Sequence, residues 1–329
     1  MSITIIGAGT WGTALAALLA NQGIDTTLSS IIKQEIANLR QTKKHPNLPG
    51  MQIPDALKLS EDASAACENK DYILIAVPSP YVRSTLQALK QNISENQIII
   101  SVTKGIEEDT LDTMSAIIKS ELPNNPVVAL SGPTHAEEVA LNLPTTIVAA
   151  CSDLAIAHKV ADLFQGSCIR AYVNTDVLGV EIGGALKNIM ALAAGISTGL
   201  GYGDNAKAAI ITRGIAEIKR LGLAIGCNQH TFSGLTGVGD LIVTATSMHS
   251  RNNKCGLLIG QGFSVEEAKQ KVGMVVEGIN ALNAAVKLAE KYNVQTPIIA
   301  GIDQIVNHGV APKTIVDQLM NQPAQDELD

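Results

Sequence analysis

Aromatic side chains are scarce in this chain. Phe, Trp and Tyr together make up 3% of 329 residues, although 46% of the residues are hydrophobic. The core must therefore be built from Ala, Ile, Leu and Val, a composition that suits helices packed on a parallel sheet. Basic charge is short as well. The formal net charge is -7, which leaves no electrostatic footprint for nucleic acid, although one basic pocket can sit within an acidic chain. The five cysteines (Cys67, Cys151, Cys168, Cys227, Cys255) are odd in number and form no CxxC pair. A reduced cytoplasmic setting explains them better than disulfides or zinc. The six histidines are scattered without ligand spacing, so no metal is expected. No stretch reads as a spanning helix. The apolar run 3–20 has the texture of a signal-peptide core, but no Lys or Arg precedes it and three glycines interrupt it. The expectation is a soluble cytoplasmic protein with a small-molecule partner, and with neither nucleic acid nor membrane insertion.

The length favours two domains. The first half alternates β-rich runs with helical patterns. Strands are expected at 3–6, 26–29, 72–77, 98–102 and 127–130. Helices are expected at 11–22, from Ser79-Pro80, over about 111–121 and from about Thr134. Ser79 suits an N-cap with Pro80 at the first helical position. Such alternation implies a parallel, doubly wound sheet. After about Thr175 the strand-like runs become rare. Stretches rich in Ala, Leu, Ile and Gly, at 180–200 and 208–223, read as helical, and Pro297 and Pro312 punctuate the tail. Fraying is expected from about Asn321.

The segment GAGTWG, Gly7 to Gly12, follows the first strand and opens the first helix. Gly7 permits the tight turn, Gly9 lets backbone approach a pyrophosphate, and Gly12 permits close helix–strand contact. The helix N-terminus offers free N–H groups to the anion. In this setting the spacing predicts dinucleotide binding on a Rossmann-type fold; the alternative is a glycine-rich turn in another α/β fold. An acid at the end of the second strand would bind a ribose 2′-hydroxyl, and a cation there would favour a 2′-phosphate. The region reads TTLSSIIKQE, with no acid at the strand end. Ser29, Ser30 and Lys33 either reach a phosphate or are simply solvated.

Ligands of an open α/β sheet lie beyond the carboxyl ends of its strands. Three such ends carry polar groups: Val77-Pro78-Ser79, Thr103-Lys104-Gly105 and Ser131-Gly132-Pro133-Thr134. Thr134 and Glu137 also fit a capping box, and Lys104 also fits an ordinary surface lysine.

In the second half, GGALKNI (183–189) sets one lysine among glycines and aliphatics. A buried ammonium costs several kcal/mol unless it is paired or loses its proton. Lys187 is therefore either a tuned general acid, near a carboxylate that raises its pKa against burial, or a snorkelling side chain. Downstream, glycines bracket Asp240 in SGLTGVGDLIVTAT, and HSRNNK places Arg251 beside Asn252. Asp240 can face a cation or cap a helix. Arg251 and Asn252 can clamp a phosphate or form a solvated turn.

Taken together, the motifs GAGTWG, AVPS, TKGIE, SGPTHAEEV, GVEIGGALKNI, GDNAKAAIITRG, GLTGVGDL, SRN and VVEG closely resemble the bacterial NAD(P)-dependent glycerol-3-phosphate dehydrogenases, from residue 3 to about 319. The resemblance implies a Rossmann domain over 1–175, an all-helical substrate domain over 176–329, and an active site between them. It implies that Lys187 protonates the carbonyl oxygen of dihydroxyacetone phosphate while NAD(P)H delivers hydride, and that it takes the proton back from sn-glycerol 3-phosphate. It gives Lys104 a place near the substrate, Asp240 the tuning of Lys187, and Thr244 a place beside it. Gly132, Thr134, Ser250, Arg251 and Asn252 match substrate contacts, with the last two on the phosphate. Gly7, Gly9, Thr10, Trp11, Gly12, Lys104, Ala136, Arg251, Val275 and Glu277 match cofactor contacts. The implied role is supply of glycerol 3-phosphate for phospholipid synthesis, by a homodimer. One departure stands out. Members usually carry Trp-x-Arg, or His in the Arg place, after the second strand; here Ser29, Ser30 and Ile31 stand there, so use of both cofactors or of NADH is expected unless Lys33 substitutes. The rival readings are a β-hydroxyacid-type dehydrogenase, against which SRN and TKG argue, and a non-catalytic dinucleotide-binding module, which would not need Lys187, Asp240 and Arg251 together.

Overall fold

A computed structural model describes residues 1–323. Eight strands form one sheet: β1 (Ser2–Ile6), β2 (Asp25–Ser29), β3 (Lys58–Ser60), β4 (Tyr72–Ile75), β5 (Ile98–Ser101), β6 (Val127–Ser131), β7 (Thr145–Ala150) and β8 (Ile169–Asn174). Their order is β3-β2-β1-β4-β5-β6-β7-β8. All neighbours are parallel except β6 and β7. Interleaved with the strands are α1 (Thr10–Asn21), α2 (Lys33–Thr42), α3 (Ala63–Cys67), α4 (Val82–Leu89), α5 (Met114–Glu121), α6 (Ala136–Ala140) and α7 (Leu154–Ala161). The rest of the chain is helical: α8 (Val177–Gly199), α9 (Asp204–Ala224), α10 (Asp240–Thr246), α11 (Arg251–Gly260), α12 (Val265–Val272), α13 (Glu277–Asn280), α14 (Leu282–Lys291), α15 (Pro297–Val306) and α16 (Pro312–Met320).

Period-two alternation explains why the central strands are apolar throughout. Ile3, Ile5, Leu74 and Ile100 join the core under α1. Ile73, Ile75 and Ile99 point the other way, to the core with Val82, Leu86, Ile117 and Ile118 of α4 and α5. The sheet thus buries both faces.

The strand order reverses at β1, with β2 on one side and β4 on the other. There Ile6 sits level with Ser29 and Ile75, so the carboxyl ends of three strands open onto one crevice. This is the ligand position of a doubly wound sheet.

The structure departs from the sequence reading in several places. Strands β3, β7 and β8 were not anticipated. β3 is only three residues long, and edge strand β8 is half-exposed with an irregular pattern. The antiparallel step at β7 makes the sheet mixed. The helix expected from Leu111 begins at Met114, because Leu111 takes a left-handed φ of 63°. Ser79 does not cap a helix. It opens a single 3-10 turn, Ser79–Tyr81, and its hydroxyl goes elsewhere. Thr134 forms no capping box with Glu137: α6 begins at Ala136 without a side-chain cap, and the Thr134 hydroxyl donates to the Gly132 carbonyl at 3.1 Å. The helix N-termini at Pro297 and Pro312 follow the rule that proline fits the first turn. Of the tail expected to fray, residues 324–329 lie outside the described residues.

Helix α8 organises the second half. It is buried continuously from Gly179 to Ser197, as a helix apolar on every face must be. It is long and apolar enough to cross a membrane, but 89% of the apolar window is covered by the protein itself. Glycines let α11 lie against it at backbone distance: a Cβ on Gly195 would stand 2.1 Å from the Asn253 carbonyl oxygen, and one on Gly256 2.1 Å from that of Leu192. Glu181 of α8 reaches across to α5, where the Ser115 backbone N–H donates to its carboxylate at 2.7 Å.

Candidate active site

Lys187 lies mid-way along α8 and is 6% exposed. The flanking small residues have structural partners. A Cβ on Gly183 would come within 2.6 Å of the Thr236 carbonyl oxygen, and one on Gly184 within 2.8 Å of Ser131 Oγ and 3.5 Å of Lys104 Cγ. These glycines let both the Asp240 segment and the end of β5 approach the lysine.

Lys187 Nζ donates to Asp240 Oδ1 at 2.7 Å and to Thr244 Oγ1 at 2.5 Å. Both acceptors are on α10, one turn apart, and the Thr244 hydroxyl donates back to the Asp240 carbonyl at 2.6 Å. Asp240, 1% exposed, is shared. Its Oδ2 accepts from Lys104 Nζ at 2.6 Å, and Lys104 also donates to the Gly132 carbonyl at 3.0 Å. Gly132 needs to be glycine for this, since its φ is 140°. One carboxylate thus faces two ammonium groups.

Burial and this ratio together set the protonation states. Burial pushes the Lys187 pKa down; Asp240 opposes this, Lys104 reinforces it, and the result is about 7. Burial pushes Asp240 up, but Lys104 and Lys187 together outweigh it and hold the carboxyl below its ordinary value. A lysine that titrates near neutrality beside a fixed carboxylate can both give and take a proton.

A run of contacts leads from Lys187 towards the glycine loop. Asn188 Oδ1 accepts from Asn252 Nδ2 at 3.0 Å, and Asn252 Oδ1 accepts from Gly278 N at 2.8 Å. Next to Gly278, the Glu277 carboxylate accepts from Ser79 N at 3.1 Å and Ser79 Oγ at 2.6 Å. Ser79 follows β4, against which Gly7 is pressed: a Cβ on Gly7 would lie 2.6 Å from the Ala76 carbonyl oxygen.

The glycine loop fits a dinucleotide. Gly7 has φ 115° and Gly12 is so close that a Cβ would sit 2.1 Å from the Gly7 carbonyl oxygen. Gly9 differs from both. It is exposed, a Cβ there would meet nothing within 4 Å, and as N-cap of α1 it brings no side-chain cap. Open space in front of free helix N–H groups is what a pyrophosphate requires. Beside it, the buried Thr10 hydroxyl has no partner, and Trp11 is partly exposed.

Two models of known families cover this chain. The N-terminal region of NAD-dependent glycerol-3-phosphate dehydrogenase matches residues 2–157, and the C-terminal region of the same enzyme matches 176–317. The chain belongs to this dehydrogenase family. A glycerol-3-phosphate dehydrogenase [NAD(P)+] of Lactobacillus delbrueckii subsp. bulgaricus is 54% identical over 99% of this chain and 98% of its own length. One from Lysinibacillus sphaericus is 47% identical over 99% and 98%. The crystal structure of glycerol-3-phosphate dehydrogenase from Coxiella burnetii superposes with a TM-score of 0.93 at 36% identity, covering 98% of this chain and 99% of that one.

Other residues of this family member were expected at the site, and the structure places them as follows. Ser250 is the N-cap of α11, accepting from Asn253 N at 3.2 Å. Arg251 is exposed in the first turn. The Asn252 side chain donates to Asn188 and accepts from Gly278 N, linking α8, α11 and α13, and its Nδ2 has a second N–H beyond the one given to Asn188. Ala136 is buried at the start of α6. Val275 borders a cavity of about 220 Å³ together with Pro78, Tyr81 and Met274. A larger cavity of about 590 Å³ runs along β8 and α7 and includes none of these residues.

Two residues at the site, Asn188 and Glu35, escaped the sequence reading, and a third, Ser131, was read only as part of a polar strand end. Asn188 gave a signal, as a polar residue in an otherwise apolar helix. Ser131 closes β6. Its buried hydroxyl has no partner and stands against Gly184 and Lys104. Glu35 gave no signal, because it lies in the first turn of α2 rather than at the end of β2. Its carboxylate is nevertheless folded back onto that strand end, where Ser30 Oγ donates to Oε2 at 2.6 Å.

Proposed function

We propose that this chain interconverts dihydroxyacetone phosphate and sn-glycerol 3-phosphate with NAD(P)H, by hydride transfer at the substrate's C2. The observation that carries the reading is the Lys187–Asp240–Thr244 cluster at the junction of sheet and helical half. Bound NAD(P)H supplies the hydride. The protein supplies the proton and the geometry. Lys187 donates its proton to the carbonyl oxygen as charge develops there, and in the reverse direction accepts it from the alcohol. Asp240 and Thr244 fix the direction of Nζ, and Lys104 adds a second positive charge facing the same carboxylate. Stabilising the developing oxyanion by such fixed groups is a large term in catalysis.

The phosphate of the substrate is assigned to the start of α11. The Ser250 side chain satisfies the N–H of Asn253 there, which leaves the N–H groups of Arg251 and Asn252 and the Arg251 guanidinium for an anion. Anchoring the phosphate turns remote binding energy into orientation of the carbonyl. Residues 1–175 then serve as the cofactor domain and 176–329 as the substrate domain. The protein works as a homodimer in the cytoplasm and supplies glycerol 3-phosphate for phospholipid synthesis.

The test is absorbance of reduced nicotinamide with purified protein and dihydroxyacetone phosphate. Substrate-dependent loss of signal is expected. No loss with either NADH or NADPH, or equal turnover of unphosphorylated hydroxyacids, would overturn the reading.

A further inference from the structure

We infer that Glu35 makes this enzyme select NADH over NADPH, by presenting a carboxylate to the adenosine ribose at the end of β2. The inference rests on the dinucleotide reading of the glycine loop and adds the residue that decides between the two cofactors.

The placement follows from the sheet. Ser29 ends β2 level with Ile6 of β1, and its carbonyl accepts from Gly7 N at 2.8 Å. The end of β2 and the glycine loop are therefore adjacent. A dinucleotide whose pyrophosphate sits at Gly9 has its adenosine ribose at the end of β2, where an acid binds the 2′-hydroxyl and a cation binds a 2′-phosphate. Neither serine there is free for a phosphate. Ser29 Oγ donates to the Ser60 carbonyl at 2.8 Å, and Ser30 Oγ donates to Glu35. Both protons are turned away from an incoming anion.

Glu35 is only half-buried, and its Oε1 has no hydrogen-bond partner among the described residues. A carboxylate oxygen accepts well from ribose hydroxyls and repels a phosphate dianion.

The neighbouring groups do not reverse this field. His45 is buried and accepts from Asn47 N through Nδ1 at 3.2 Å. Burial lowers its pKa, against the opposing pull of the Ala8 carbonyl and Glu35. It is thus a neutral ring at physiological pH. Arg40 is paired with Glu61. Lys33 is exposed at the start of α2 and makes no ion pair among the described residues.

A second feature fits the same ligand. Ile31 and Ile32 directly after β2 are 54% and 55% exposed. Two adjacent large apolar side chains held in water at a ligand crevice form a platform for an apolar ring face, and adenine supplies one.

The test measures binding as well as turnover. Trp11 is the only tryptophan and sits in the glycine loop, so its fluorescence reports NADH and NADPH titrations directly. NADH should bind about tenfold or more tightly than NADPH, as expected for one charge-assisted hydrogen bond gained and one charge repulsion avoided. Glu35→Gln should cut that ratio by about tenfold, weakening NADH while strengthening NADPH. Equal loss of both affinities would make Glu35 a mere helix-terminus residue and overturn the inference. NADPH binding as tightly as NADH to the unaltered protein would overturn it too, and so would a Lys33→Ala variant that loses NADPH selectively from such parity. If neither nucleotide binds, the dinucleotide reading falls and the inference falls with it. If both bind with the expected ratio but dihydroxyacetone phosphate is not reduced, selection by Glu35 stands and only the substrate is wrong.

Discussion

Replacing Asp240 by Asn should move the pH dependence of the reaction more than it harms the fold. The substitution keeps the shape and leaves one amide oxygen that can accept from one lysine, but it turns an NH2 donor towards the other and removes the one negative charge that Lys187 and Lys104 share. Lys187 Nζ lies 2.7 Å from Oδ1. At an effective dielectric of about 20, a unit pair at that distance interacts by about 6 kcal/mol, equivalent to roughly four pKa units. The amide dipole and any entering water recover part of this, so a drop of at least about one unit is expected. The Lys187 pKa already stands at about 7 because burial depresses it and Asp240 only partly restores it. At about pH 7.5 such a group is about a quarter protonated; one unit lower, it is about 3% protonated. Carbonyl reduction, which needs the ammonium, should therefore fall about eightfold or more at that pH from protonation alone. Alcohol oxidation needs the neutral amine, and its rising limb should shift to lower pH by the same amount. The assay is kcat/KM in both directions from about pH 5.5 to 9, with thermal melts to confirm folding. A rate that drops equally at every pH, with the midpoint unmoved, would show that the titrating group is not Lys187 or that Asp240 does not govern it.

Arg251→Lys should raise KM for dihydroxyacetone phosphate by about tenfold with a smaller effect on kcat, because a single ammonium replaces a bidentate fork; an unchanged KM would place the phosphate elsewhere. Glu217 accepts from Ile298 N at 2.7 Å and Ile299 N at 3.3 Å at the start of α15, and burial raises its pKa from 4.5 to about 7 despite those donors. Its folded value is above its unfolded one, so its contribution is complete below about pH 4.5 and is lost as pH rises through about 7. Glu217→Gln should flatten the decline of Tm between those values, and a decline as steep as before would refute the assignment. Gly195→Ala should destabilise the protein by about 1–3 kcal/mol or more in denaturant melts, since a Cβ 2.1 Å from the Asn253 carbonyl oxygen forces α8 and α11 apart; an unaltered midpoint would mean the two helices can slide.

The residues that could be read from sequence are those whose demands are local. Gly7, Gly9 and Gly12 each answer a constraint set within one turn, and the buried alternation of β1, β4 and β5 repeats every second residue. What escaped was either direction or distance. Nothing in TTIVAA at 145–150 records that β7 runs against β6, because strand polarity is decided by the connection and not by the strand. Ser79 had the local form of a helix cap, yet a carboxylate 198 positions away captured its hydroxyl. Asn252 could be singled out beside Arg251, but its links to Asn188 of α8 and to Gly278 of α13 could not. Glu35 was missed for a smaller reason: one turn of helix separates it from the strand end in sequence and none separates it in space.

The central cluster shows the same limit more sharply. Lys187, Asp240 and Lys104 could each be singled out, but their stoichiometry could not. Asp240 is 53 positions from one lysine and 136 from the other, and the sequence gives no reason for it to serve both. That two-to-one ratio adds to what burial does. Burial lowers the Lys187 pKa most, Asp240 opposes it, and the second lysine lowers it further. Sharing the carboxylate leaves the pocket one positive charge in excess whenever Lys187 is protonated. On the proposed reading, an anionic substrate balances that charge when it binds. The same event that brings the carbonyl to Lys187 would then hold the proton there until the carbonyl oxygen takes it.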